Sequence, residues 1–91
     1  MNDPIESIRV QEMRALVLLS KGHNQREVAE ILDSHQPRIA QILRKLEHVY
    51  GIDLSQGQTG AKKITSDGMA LAQRFEEALN VLEGMSIWAT P

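Results

Sequence analysis

Apolar residues recur at helical spacing in several stretches of this chain, and the breaks between them fall on residues that stop helices. Ile5, Ile8, Met13, Leu16, Val17 and Leu19 mark a first helix, with Pro4 in an opening turn where its missing N–H costs nothing. Lys21-Gly22 ends it: a cation suits the negative end of the helix dipole, and glycine is free to turn left-handed. Asn24 is a natural N-cap and Glu27, three residues on, can reach back to it. A second helix then runs from about Gln25 to Leu32, burying Val28, Ala29, Ile31 and Leu32, until Asp33-Ser34 breaks it. The third begins at His35 or Gln36 with Pro37 in its first turn, buries Ile39, Leu43 and Leu46, and stops at Gly51.

The pattern then changes period. Ile52 and Leu54 alternate with Asp53 and Ser55, a polar tip follows at 56–60, and Ala61-Lys62-Lys63-Ile64 reads as a returning strand. Thr65 or Ser66 caps a last helix to about Glu83, in which Leu71, Phe75, Ala78 and Leu82 recur at four–three–four spacing and Leu79 widens the stripe. That spacing predicts a short coiled-coil seam. The apolar tail around Trp88 predicts packing on the chain's own core or on a partner subunit. The fold class is therefore mainly α, a winged helix-turn-helix with a three-helix core, a two-stranded wing and a C-terminal dimerisation helix. Residues 1–65 form the winged unit and 66–91 the dimerisation helix and tail.

Composition narrows the possibilities. The 91 residues suffice for one domain, and only Tyr50, Phe75 and Trp88 are aromatic, so the core is aliphatic. There is no cysteine, no apolar leader and no run approaching the ~20 apolar residues of a membrane span, so a soluble protein of the reducing cytoplasm is expected. The net charge of −2 argues against an anionic partner until its distribution is read. Residues 1–34 carry four basic against six acidic groups, 35–65 five against two, and 66–91 one against four. A cationic middle between acidic ends still attracts phosphate, because electrostatic attraction is screened within about 10 Å. The absence of an overall basic balance predicts modest non-specific affinity and a shallow salt slope per subunit.

With Ile39, Leu43 and Leu46 inward, 100° per residue turns Pro37, Gln41, Arg44 and His48 outward, with Arg38 and Lys45 on one flank. Glutamine pairs bidentately with adenine, and Arg or Lys with guanine or phosphate. The residues expected at DNA are Asn24, Gln25, His35, Gln36, Pro37, Arg38, Gln41, Arg44, Lys45, Lys62 and Lys63. Lys62 and Lys63 point to opposite faces of a strand, so one of the two is expected at the backbone, with which one left open. Dimerisation is assigned to Leu71, Phe75, Ala78, Leu79, Leu82 and Trp88. His23, His35 and His48 lack partners at ligand spacing, so no metal is expected, and no cofactor. No nucleophile–base arrangement or phosphate loop is present, so the chain is not expected to be an enzyme.

From His35-Gln36-Pro37-Arg38 through Leu46-Glu47, Gly51 and Leu54 to Ile64-Thr65-Ser66-Asp67-Gly68, the chain resembles the N-terminal DNA-binding domain of LysR-type transcriptional regulators. The resemblance covers roughly residues 10–83. It implies a winged helix-turn-helix that docks its third helix in the major groove and binds a dyad-symmetric operator as a dimer, through the last helix. The chain departs from the family's usual pattern at His35, at Ala40-Gln41, and at Ser55 and Gly57 after the wing leucine. The family's effector-binding domain is missing, so no small-molecule effector is expected. With Met1 at its start and no truncated element at its end, the chain is expected to stand alone.

The expectation is a sequence-specific, double-stranded DNA-binding transcription regulator, with residues of about 36–50 in the major groove and a homodimer on an inverted repeat. The alternative is a winged-helix protein-interaction module, an adaptor or anti-repressor, that works through the acidic ends and binds no DNA.

Overall fold

The computed structural model describes residues 5–56 and 63–89, the last five by backbone alone. A 3-10 turn at Ile5–Ser7 leads into α1 (Val10–Ser20), followed by α2 (Gln25–Ile31), α3 (Gln36–Tyr50), strands β1 (Ser55–Gln56) and β2 (Lys63–Ile64), and α4 (Ser66–Ala89). The strands pair antiparallel in the register Ser55↔Ile64 and Gln56↔Lys63. They form the base of the expected wing; its tip, with Lys62, lies outside the described residues.

Local chemistry sets the helix limits. α1 starts later than its apolar spacing suggests, because the Arg9 amide donates to Glu12 Oε1 at 2.8 Å and fixes the first turn there. At α2 the capping box is complete: Glu27 N donates to Asn24 Oδ1 at 2.8 Å, and Asn24 N donates to Glu27 Oε1 at 2.9 Å. Asp33 adopts φ 54 in the turn between α2 and α3, a left-handed conformation that aspartate tolerates better than most side chains. Gly51, at φ 67, closes α3, its amide donating to the Glu47 carbonyl at 2.8 Å. Glu47 also uses its side chain: Oε2 accepts from Leu54 N at 3.0 Å and draws the chain into the wing.

One core joins these elements. Ala15 and Leu16 of α1, Val28 and Ala29 of α2, Ile39, Ile42, Leu43 and Leu46 of α3, Leu54, and Ala72 and Phe75 of α4 are all buried together. The rings of Tyr50 and Phe75 meet edge to face at 6.0 Å, tying the end of α3 to α4. Ile31, expected inside, is exposed: it occupies the last turn of a short helix whose core contact is already made by Val28 and Ala29. Ile5 is exposed as well, in the 3-10 turn ahead of α1.

α4 corrects the coiled-coil reading. Phe75 and Leu79 pack inward within the subunit and are unavailable as a seam. Leu71 is half-buried against the same core. Two ion pairs, Arg14–Glu83 and Lys21–Glu76, each at 2.9 Å, brace α1 against α4. Among the described residues, the apolar positions that α4 leaves outside are Met69 and Ala70 in its first turns and, further along, Ala78, Val81 at 67% exposure and Leu82 at 55%. α4 also runs through Gly84 to Ala89, further than the stripe predicts, and the Trp88 side chain lies outside the described residues.

Candidate nucleic-acid interface

α3 is held with one face sealed and the other exposed to solvent. Ile39, Ile42, Leu43 and Leu46 point into the core, and Gln36, Pro37, Gln41, Arg44 and His48 are exposed on the opposite side. Burying four aliphatic side chains at about 1.5–3 kcal/mol each leaves little freedom for α3 to rotate, so the outward arc is fixed by the inward one. Ile42 belongs to this set although the spacing of Ile39, Leu43 and Leu46 was sufficient to orient the helix.

Beside that arc lies an open groove of about 770 Å³, to which Asn24, Gln25, Gln36, Ala40, Ser55 and Lys63 contribute. The start of α2, the first turns of α3 and the base of the wing thus converge. Asn24 is engaged there as the cap of α2, Gln25 is half-buried, and Lys63 is exposed on β2. His35 is the exposed N-cap of α3 and makes no side-chain capping bond. His23 and Arg26 line the same groove and were not assigned to the interface from sequence; their place in the turn and first residues of α2 beside Asn24 was the available signal.

The flank of α3 differs from expectation. Lys45 does not stand free: its Nζ donates to both Glu12 carboxylate oxygens, at 2.9 and 3.0 Å, and to the Ser7 carbonyl at 2.8 Å. Those three contacts match the three protons an ammonium carries. Arg38 turns the same way, with Nη2 3.5 Å from Glu12 Oε2. The cause is Glu12, only 1% exposed, whose charge must find partners inside the fold. Burial raises its pKa, but the Arg9 amide, Lys45 and the more distant Arg38 outweigh that and leave it below the usual carboxylate value. Sequence reading missed Glu12. The signal was its register, four and seven residues before Leu16 and Leu19, which places a carboxylate in the apolar stripe of α1.

The wing is anchored to α4 by Thr65. Its amide donates to the Leu54 carbonyl at 3.0 Å, its hydroxyl donates to the Asp53 carbonyl, and its Oγ1 accepts from Gly68 N at 3.0 Å. These bonds explain the Ile-Thr-x-x-Gly run: threonine both caps α4 and clasps the two ends of the wing.

Among the described residues there is no group of three or more His, Cys, Asp or Glu side chains able to hold a metal ion. Nor is any helix among them long and apolar enough to cross a membrane.

Three packed helices, the third with an exposed polar face, and an attached two-stranded wing define a winged helix-turn-helix. No protein-family model matches the sequence, and no curated protein matches it. Solved structures do match. Full-length OxyR C199D from Pseudomonas aeruginosa superposes with a TM-score of 0.81 at 22% identity, over 90% of this chain and 28% of that one. The BenM DNA-binding domain in complex with catB site 1 DNA gives 0.80 at 21% identity, over 90% and 91% of the two chains. The CbnR DNA-binding domain in complex with DNA gives 0.80 at 17%, over 90% and 94%. The chain therefore has the fold of LysR-type DNA-binding domains, as its motifs suggested. It spans nearly all of such an isolated domain and about a quarter of the full-length regulator.

Proposed function

We propose that this chain is a sequence-specific, double-stranded DNA-binding transcription regulator that places α3 in the major groove and works as a homodimer on an inverted repeat. The observation that carries this reading is the exposed arc of Gln36, Pro37, Gln41 and Arg44, held outward by four buried aliphatic residues and flanked by a wing. That two neighbours of the same fold, the BenM and CbnR domains, were solved on DNA supports the same assignment. Gln36 and Gln41 are the base readers, Arg44 reaches phosphate or guanine, and Lys63, with the start of α2 at Asn24 and Gln25, holds the backbone. His35 and Pro37 lie at the edge of the duplex.

In the dimer the exposed stripe of Ala78, Val81 and Leu82 on α4 meets its symmetry mate, since a two-fold interface presents the same patch twice. Half-sites then lie one or two helical turns apart, at about 34 Å per turn. The protein acts in the cytoplasm, at the nucleoid, and carries out no catalysis.

Selection of bound sequences from a random duplex pool tests the proposal. The expected product is an enriched inverted repeat, and Gln41→Ala is expected to relax preference at one base per half-site. An equal loss on every sequence for that variant contradicts the reader role. No mobility shift on random duplex at low salt, together with no enrichment, refutes DNA binding and leaves the interaction-module reading.

A further inference from the structure

The contacts of Glu12 point beyond its part in folding. It sits on α1, outside the arc assigned to DNA, yet it takes up two of the three cations that α3 carries. Lys45 is held through all of its protons and is 24% exposed, whereas Arg38 is held through one contact of 3.5 Å and is 36% exposed. A carboxylate already stripped of water attracts those cations more strongly than a surface carboxylate, because the local dielectric is low. From the cations' side, Glu12 offers what a DNA phosphate would: a single negative charge with two oxygens.

Resting on the DNA-binding reading above, we propose that Glu12 is a positioning residue that acts as an internal stand-in for phosphate, withholding Lys45 and restraining Arg38 from the duplex backbone. It thereby sets the non-specific affinity of α3 below what its charge count implies. Among the described residues, Arg44 is then the one α3 cation fully available to DNA, and discrimination falls to the glutamines. A reader with few phosphate contacts loses less binding to random sequence, since phosphate contacts strengthen all sites alike.

The test is the salt dependence of binding to a labelled random-sequence duplex, for wild type, Glu12→Gln and Lys45→Met. Glutamine keeps the side-chain acceptor that caps α1 and removes the charge. Each cation released to a phosphate steepens the slope of log K against log salt by about 0.9. With both released, Glu12→Gln is expected to lose about 12-fold more affinity per subunit than wild type between 50 and 200 mM salt, and to bind more tightly at the lower end. Lys45→Met is expected to leave the slope as it is in wild type. A folded Glu12→Gln protein with the wild-type slope overturns the proposal. Should Glu12→Gln not fold, Lys45→Met decides alone: a slope flattened by about 0.9 shows that Lys45 was at phosphate and overturns it. Wild-type protein that binds no duplex defeats the underlying reading, visible in that arm by itself, and this inference with it.

Discussion

Gly68→Ala pits helix propensity against packing, and the structure decides the sign. Gly68 is buried in the first turn of α4, where alanine is intrinsically favoured over glycine by up to about 1 kcal/mol. A Cβ built there lies 2.7 Å from the Leu54 carbonyl oxygen and 2.7 Å from Ile64 Cγ2, and 3.3 Å from Leu54 Cα. Ile64 has a side chain that can shift. The Leu54 carbonyl is backbone and already accepts from Thr65 N, so relief requires the wing's entry strand to move away from α4. Forcing a methyl into a filled site costs about 1–3 kcal/mol, and the immovable partner places this case at the upper end. Set against the propensity gain, the net is a destabilisation of about 1–2 kcal/mol, or roughly 5–15 °C in Tm for a chain of this size. Gly84→Ala is the control, because a Cβ there meets nothing within 4 Å. It should raise stability by up to about 1 kcal/mol. Urea unfolding followed by circular dichroism, with the slope m compared across variants, measures both. A Gly68→Ala protein as stable as wild type, or more so, refutes the argument that α4 and the wing share a fixed backbone contact.

Other expected outcomes follow from particular contacts. Because the native pKa of Glu12 is held below its unfolded value, its contribution to stability is complete at neutral pH. It is lost as pH falls from about 4.3 through the depressed native value, so urea midpoints of wild type should decline there more steeply than those of Glu12→Gln. Parallel declines would deny Glu12 that role. Phe75→Ala removes a buried ring that packs on Tyr50 and should destabilise by about 3–5 kcal/mol in thermal or urea unfolding. A loss below 1 kcal/mol would mean that this side chain faces a partner rather than its own core. Leu82→Asp places a charge on the exposed stripe of α4 and should convert a dimer to monomer in sedimentation while far-UV circular dichroism is retained. An unchanged dimer would move the interface elsewhere.

Much of the fold was legible because each helix carries its own stop and start. Asn24 with Glu27, the Asp33-Ser34 break, Pro37 and Gly51 placed α2 and α3 almost to the residue, through bonds that span three or four positions. The outward arc of α3 was legible for the same reason: Ile39, Leu43 and Leu46 fix a helix's rotation whatever packs on them. The alternation around Leu54 and Ile64 likewise foretold the wing.

What sequence periodicity leaves open is which neighbour each stripe meets. The spacing from Leu71 to Leu82 suits a seam between subunits or a groove within one, and only the position of α1 assigns Phe75 and Leu79 to the subunit and leaves Val81 and Leu82 outside. Lys45 and Arg38 had the rotation of free cations on α3, and their fate was set by Glu12, 33 residues from Lys45 along the chain. Helix rotation is a local property, fixed by side chains a turn apart. Pairing of charges across the core depends on where a distant helix brings its carboxylate, so it belongs to the tertiary structure alone.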